Sequence, residues 1–177
     1  LHNEGKFGCD GFNNYVAMNN WAAVVLAGGM GLRMKSNIPK VLHNICGKPM
    51  ISMVVDTVEK AGITDVIVVV PTDHDQISSA INSKVIYATQ PIPNGTGDAL
   101  IRACQVLPKT KNVLVTYGDI PLIQPETLIK LMDQHVKLRA QITILTTSMG
   151  SNEGMGRILR DSSNKIVSII EEKETDT

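Results

Sequence analysis

The residues with the clearest chemical potential stand in one short stretch, Val24-Val25-Leu26-Ala27-Gly28-Gly29-Met30-Gly31-Leu32-Arg33-Met34, closed by Pro39-Lys40. An apolar run passes straight into a glycine-rich turn, and two cations follow. Gly28, Gly29 and Gly31 lack the Cβ that would keep the backbone away from a phosphate. Successive N–H groups in such a turn form an anion-binding concavity. Arg33 offers a planar fork of donors that never loses its charge, and Lys40 is a compact charge fixed after Pro39. Each cation taken singly reads at least as well as a solvated surface residue, and glycines after a strand are often only a turn. Their order, strand, glycines, Arg33, then Pro39-Lys40, favours a polyphosphate ligand.

A second candidate lies further along. Asp119 follows the apolar run 112–116 and Tyr117-Gly118, and it precedes Ile120-Pro121. A carboxylate at the end of a buried strand suits Mg²⁺, which takes one or two carboxylates together with phosphate oxygens and water. An Asx-type turn explains Asp119 equally well in isolation; beside a phosphate loop the metal reading is favoured. His43 has no partner pattern nearby and reads as a structural histidine hydrogen-bonded in its loop. No Ser/His/Asp or Cys/His set supports acyl chemistry, and the glycine turn is not the GxxxxGK[ST] of a P-loop.

The elements that must position these residues alternate. A strand from just after Met18 leads into the glycine turn. Pro49 to Gly62 predicts a helix with Met50, Met53, Val54, Thr57 and Val58 on its apolar stripe. Val66 to Val70 is a β-branched run of the kind buried on both faces of a sheet. Asp73 is a candidate cap for a short helix to about Ile81, and Val85 to Ala88 a third strand. The loop Gln90-Pro91-Ile92-Pro93-Asn94-Gly95-Thr96-Gly97 comes next, then a helix over 98–107 and a strand over 112–116. Pro125 to Lys137 predicts a helix, Gln141 to Thr147 a strand, and 157–160 with 165–170 a hairpin around Asp161-Ser162-Ser163-Asn164. Strands alternating with helices predict βαβ units and a mainly parallel sheet covered on both faces. Ligands bind such sheets beyond the carboxyl ends of the strands, so the glycine turn, the 90–97 loop and Asp119 should converge on one edge.

Composition removes several function classes. Among 177 residues, Lys plus Arg and Asp plus Glu both number 17, so no global field recruits nucleic acid or an acidic membrane. Aromatic residues make up 3%, too few for a base-stacking platform on single strands. No apolar run has the length of a membrane span. Cys9, Cys46 and Cys104 lack metal or disulfide spacing and read as small buried or incidental residues of a cytoplasmic protein. Residues 1–17 show no periodicity and no signal-peptide pattern, and read as a leader or non-native segment ahead of one domain over 18–177.

The glycine turn resembles the LAxGxGTRM signature of sugar-phosphate nucleotidyltransferases. The similarity narrows with Pro39-Lys40-Val41-Leu42-His43, Gly47-Lys48-Pro49-Met50, Gly95-Thr96-Gly97, Tyr117-Gly118-Asp119-Ile120-Pro121-Leu122 and Gly154-Met155-Gly156-Arg157-Ile158. Together these resemble the N-terminal uridyltransferase domain of the bifunctional N-acetylglucosamine-1-phosphate uridyltransferases, from about Met18 to the last residue. The resemblance implies a Rossmann-like three-layer α/β fold, a mainly parallel sheet with a small β-hairpin insertion. It implies transfer of UMP from UTP to N-acetylglucosamine 1-phosphate with release of pyrophosphate, assisted by Mg²⁺. By position it assigns Leu26, Ala27, Gly28 and Gly29 to the ribose and phosphates, and Arg33 and Lys40 to the charge of the transition state. Gln90 and Gly95 are assigned to the uracil edge, Thr96 to support of that loop, Asp119 to Mg²⁺, and Gly156 and Glu171 to the amino-sugar.

This sequence departs from the family pattern at Ala27-Gly28-Gly29, where a double alanine is commoner, at Leu32 in place of threonine, and at Pro93-Asn94 in the uracil loop. The family's domain is expected to continue for tens of residues past Thr177, and no hexapeptide repeats of an acetyltransferase half are present. Two alternatives follow. One is another sugar-phosphate or cytidylyl nucleotidyltransferase. The other is a truncated nucleotide-binding or assembly module, with an exposed sheet edge inviting a homodimer.

Overall fold

The computed structural model describes residues 20–29, 31, 34–107, 112–147, 156–163 and 165–170. The chain forms two compact units, Leu1–Ile142 and Thr143–Thr177. The first is built on a parallel sheet. Strand β1 spans Trp21–Leu26. A 3₁₀ turn over Lys40–Leu42 and a two-residue ribbon, β2 (Asn44–Ile45) with β3 (Lys48–Pro49), lead into α1 (Met50–Lys60). Then come β4 (Asp65–Val70), α2 (Asp75–Ala80), β5 (Ile86–Thr89), α3 (Thr96–Cys104), β6 (Asn112–Tyr117) and α4 (Pro125–Lys137).

All four long strands are parallel, in the order β5-β4-β1-β6. The chain steps outward from β1 through β4 to β5 and then returns to the other side of β1. The order therefore reverses between β1 and β6, and that is where an open α/β sheet offers a crevice.

Alternation along the strands divides the interior into two layers. Ala23, Val25, Val66, Val68, Val70 and Leu114 face α1, α2 and α4, where Ile51, Val54, Val58, Ile77, Leu128 and Met132 are buried. Ala22, Val24, Ile67, Val69 and Ala88 face α3 through its Ala99 and Ala103. Alanines on both sides of this second interface let the helix lie close to the strands. Each fully buried valine or isoleucine contributes about 1.5–3 kcal/mol, so β1 and β4 anchor the unit. The predicted three-layer α/β architecture is thus present. α1 ends where Gly62 takes φ +90°, the left-handed turn that closes many helices.

Four expectations are corrected. Residues 141–147 join no ladder among the described residues, and Ile142 is 79% exposed. β-propensity there finds no adjacent strand to pair with, and strands draw their stability from such pairs. Asp73 does not cap α2: His74 occupies that position without a side-chain cap bond, held by its Nδ1 at 3.2 Å from Thr72 O and by its ring against Tyr87. α3 begins at Thr96, not Asp98. Cys46 and Cys104 are exposed free thiols, not buried ones; Cys9 lies outside the described residues.

In the second unit β7 (Arg157–Arg160) and β8 (Ile166–Ile170) form the expected antiparallel hairpin. Its turn is organised by Asp161, whose Oδ1 accepts from Ser163 Oγ at 2.7 Å and from the N–H groups of Ser163 and Lys165 at 2.9 Å. The Ser163 hydroxyl first, and then these N–H groups, hold the Asp161 carboxyl below the usual carboxylate range. A depressed folded pKa stabilises the turn fully above the ordinary value, and this is lost as pH falls through the folded value. The Lys165 amide resonance should therefore titrate with a midpoint below that of an ordinary aspartate, and Asp161→Asn should remove the step from an NMR titration.

Candidate active site

Three backbone hydrogen bonds extend the ladders beyond the strands and bring the chemical residues to one sheet edge. Ala27 N–H donates to Val69 O at 2.8 Å, Gln90 N–H to Val70 O at 2.8 Å, and Gly118 N–H to Leu26 O at 2.9 Å. The glycine turn, the 90–97 loop and Asp119 thus leave the sheet side by side, as the alternation of elements predicts.

Gly118 is the tightest point. A Cβ there would stand 2.8 Å from Ile51 Cδ1, 3.1 Å from Val41 Cγ1 and 3.3 Å from Leu26 O. Val41 is buried in the 3₁₀ turn after Pro39, so Lys40 immediately precedes the residue that packs on Gly118, and Asp119 immediately follows Gly118. The two charges consequently meet, with Lys40 Nζ 2.6 Å from Asp119 Oδ2. Their side chains are 38% and 27% exposed, so screening limits the pair to about 0–1 kcal/mol. Gly31, with φ +60°, covers Lys40 from the glycine turn, and a Cβ on it would fall 2.7 Å from Lys40 Cβ. On the other side of Asp119 an open groove of about 430 Å³ is lined by Ile45, Met50, Ile120, Leu122 and Ile123.

The opposite flank is held by Gln90. Its side chain is 6% exposed, and Nε2 lies 3.0 Å from Gly95 O and 2.8 Å from Asp98 Oδ2. Its Oε1 would be 3.2 Å from a Cβ on Gly28. Gly95 takes φ 98°, ψ 175°, a conformation essentially reserved for glycine, and from it the chain turns into α3. Thr96 is the exposed first residue of α3.

Among the described residues, then, the structure gathers Leu26, Ala27, Gly28, Gly29, Lys40, Gln90, Gly95, Thr96 and Asp119 at one edge. Arg33 and Glu171 lie outside the described residues. Gly156 is exposed in the second unit, just before β7. His43 differs from expectation: its main chain bonds to Lys40 O and from Met50 N–H, but its buried Nε2 has no hydrogen-bond partner among the described residues. Asp98 was missed from the sequence. Its one signal was an acidic residue in the first turn of a helix that follows a glycine loop.

No group of three or more His, Cys, Asp or Glu residues suited to a metal occurs among the described residues. Asp119, a part-exposed carboxylate after β6, is the kind of ligand a magnesium-type ion takes together with phosphate oxygens and water.

Residues 23–166 match the family described as MobA-like NTP transferase domain, most of the chain. The chain belongs to this family. It is 43% identical over 157 residues to the bifunctional protein GlmU of Thermoanaerobacter pseudethanolicus, covering 89% of this chain and 34% of that protein. Over 158 residues it is 36% identical to the bifunctional protein GlmU of Clostridioides difficile, with 89% and 34% covered. The resemblance read from the motifs is borne out, and the chain spans about one third of the length of these curated relatives. HddC from Yersinia pseudotuberculosis, crystallised with GMP-PN, shares the fold at TM-score 0.63 and 23% identity, over 85% of this chain and 68% of that one. No helix among the described residues is long and apolar enough to cross a membrane.

Gly118→Ala should destabilise the domain by about 1–3 kcal/mol, because Ile51, Val41 and the Leu26 carbonyl cannot all give way. Urea unfolding measures this. Gly29→Ala, where a Cβ meets nothing within 4 Å, is the control and should cost less than about 1 kcal/mol.

Proposed function

We propose that this chain carries a uridylyltransferase site that moves UMP from UTP to N-acetylglucosamine 1-phosphate, releasing pyrophosphate. The observation that supports it best is the Lys40–Asp119 pair beside the glycine turn at the β1–β6 reversal. A phosphate oxygen of the sugar phosphate attacks the α-phosphorus in line. One P–O bond forms, the α–β bridging P–O bond breaks, and the leaving pyrophosphate takes the electron pair.

Such a reaction asks a protein mainly for positioning and charge neutralisation. Leu26 and Ala27 line the ribose at the strand end. The N–H groups of the turn at Gly28 and Gly29 hold the phosphates, because that of Ala27 is spent on Val69 O, and Lys40 donates to the α-phosphoryl oxygens as charge builds there. Breaking its exposed pair with Asp119 costs little, so Lys40 is free to reorient. Arg33 adds a second cation. Asp119, with phosphate oxygens, would hold Mg²⁺, which supplies further neutralisation of the polyphosphate when bound. Gly156 and Glu171 are assigned to the amino-sugar. The low global charge and the small share of aromatic residues are in keeping with small-molecule substrates.

A second reading, a nucleotide-binding or assembly module, draws support from β6. It is an edge strand among the described residues, and Val113, Val115 and Tyr117 are exposed on the sheet face they share with Ala22, Val24 and Leu26. Such an edge suits pairing with a second copy.

Pyrophosphate release measured with Mg²⁺, UTP and N-acetylglucosamine 1-phosphate separates the two. Release with UTP is expected, and CTP or GTP with other acceptors should give none. Lys40→Ala should lower turnover about 10²–10³-fold. Asp119→Asn should abolish it with the melting temperature kept; unchanged turnover would remove Asp119 as the metal ligand. UTP binding without release would favour the second reading.

A further inference from the structure

Gln90 is buried, and its amide is fixed by chemistry as well as by packing. The two atoms that face its Nε2, Gly95 O and Asp98 Oδ2, are a carbonyl and a carboxylate oxygen, both acceptors. A flipped amide would set Oε1 against two acceptors, one of them a carboxylate, which is unfavourable for a side chain as buried as that of Gln90. Nε2 therefore spends both of its N–H groups on Gly95 and Asp98. Only the lone pairs of Oε1 remain, and they lie over Gly28, where no donor among the described residues reaches them.

Asp98 is built for this. Gly95 turns the chain so that α3 starts at Thr96, which places Asp98 in the first turn, and its other oxygen is 3.5 Å from Arg102 Nε one turn along. A loop with Asp98 removed would leave the Gln90 amide half satisfied and free to rotate.

We propose that Asp98 is a specificity-determining positioning residue: by holding the Gln90 amide it presents an acceptor alone to the base, and so selects a ring N–H donor. Uracil carries a hydrogen on N3, whereas N3 of cytosine is an acceptor that would face Oε1 lone pair to lone pair. This rests on the uridylyl reading above and adds the residue that enforces it. An amide free to rotate would serve either pyrimidine, with N–H toward cytosine and oxygen toward uracil.

The test is calorimetric binding of UTP and of CTP, each with Mg²⁺, to the full chain and its variants. The wild-type protein should prefer UTP roughly 10- to 100-fold, the range expected for one mismatched buried hydrogen bond. Asp98→Ala should bring the ratio to within about threefold, chiefly by raising CTP affinity, and Asp98→Asn, whose carbonyl still accepts from Nε2, should restore the preference. Where Asp98→Ala fails to fold, Asp98→Ser takes its place, because its short hydroxyl cannot span to Nε2. A folded Asp98→Ala or Asp98→Ser with the wild-type ratio would overturn the inference and leave the uridylyl reading standing. Equal wild-type affinity for UTP and CTP would overturn it also, and binding of neither would overturn the uridylyl reading with it.

Discussion

The carboxyl ends of β1 and β6 approach within one hydrogen bond, Gly118 N–H to Leu26 O, and no side chain fits between them. Much else follows from that closeness. Ile51 of α1 and Val41 of the 3₁₀ turn press on the same bare Cα, so a helix, a turn and two strands share one contact. The residue before Val41 is Lys40 and the residue after Gly118 is Asp119. Two charges far apart in sequence become neighbours because of an apolar contact, not because of their attraction for one another. An exposed pair worth about 1 kcal/mol at most could not hold two loops together.

That hierarchy suits a site that must exchange partners. The strands and α1 carry the burial energy, and the loops carry charges whose mutual attraction is weak enough to be redirected to a ligand. Gly31 illustrates the fit between the two: its left-handed backbone and missing Cβ let the glycine turn lie directly on the Lys40 side chain. A polyphosphate in the turn would therefore meet the lysine without any rearrangement of the core.

Much of this was legible in the sequence. The β-branched run Val66–Val70, the bounds of Pro125–Lys137 and the convergence of three loops follow from periodicity, punctuation and the geometry of parallel sheets. Lys40 and Asp119 could be named as candidates because each follows a recognisable signal, Pro39 in one case and a strand end in the other. Their pairing could not, since it depends on Val41 packing against Gly118 across the reversal of strand order. Residues 141–147 misled because β-propensity speaks of a residue's fit to a sheet and not of whether a neighbouring strand exists. Asp73 misled because a cap is decided by one residue of register, and His74 had a carbonyl and a tyrosine ring to hold it there. Asp98 escaped notice because an acidic residue in a first helical turn is ordinary; only the buried amide it meets makes it unusual.

The two flanks of the edge obey different physics, and this separates chemistry from choice. Every nucleoside triphosphate has the same phosphates, so a loop that meets them gains from charges that can be redirected, and the part-exposed Lys40 is such a charge. Bases differ by the direction of single hydrogen bonds, and such differences count only where a mispaired group cannot turn to water. Gln90 is buried and its amide is oriented by the half-buried Asp98 carboxylate and the Gly95 carbonyl. Pro93 and Asn94, where this sequence departs from its family, are exposed in the same loop and touch neither Nε2 nor Oε1 by any hydrogen bond among the described residues. The loop can thus vary at its surface while the orientation of the one buried amide is kept by Gly95 and Asp98, both of which follow the change.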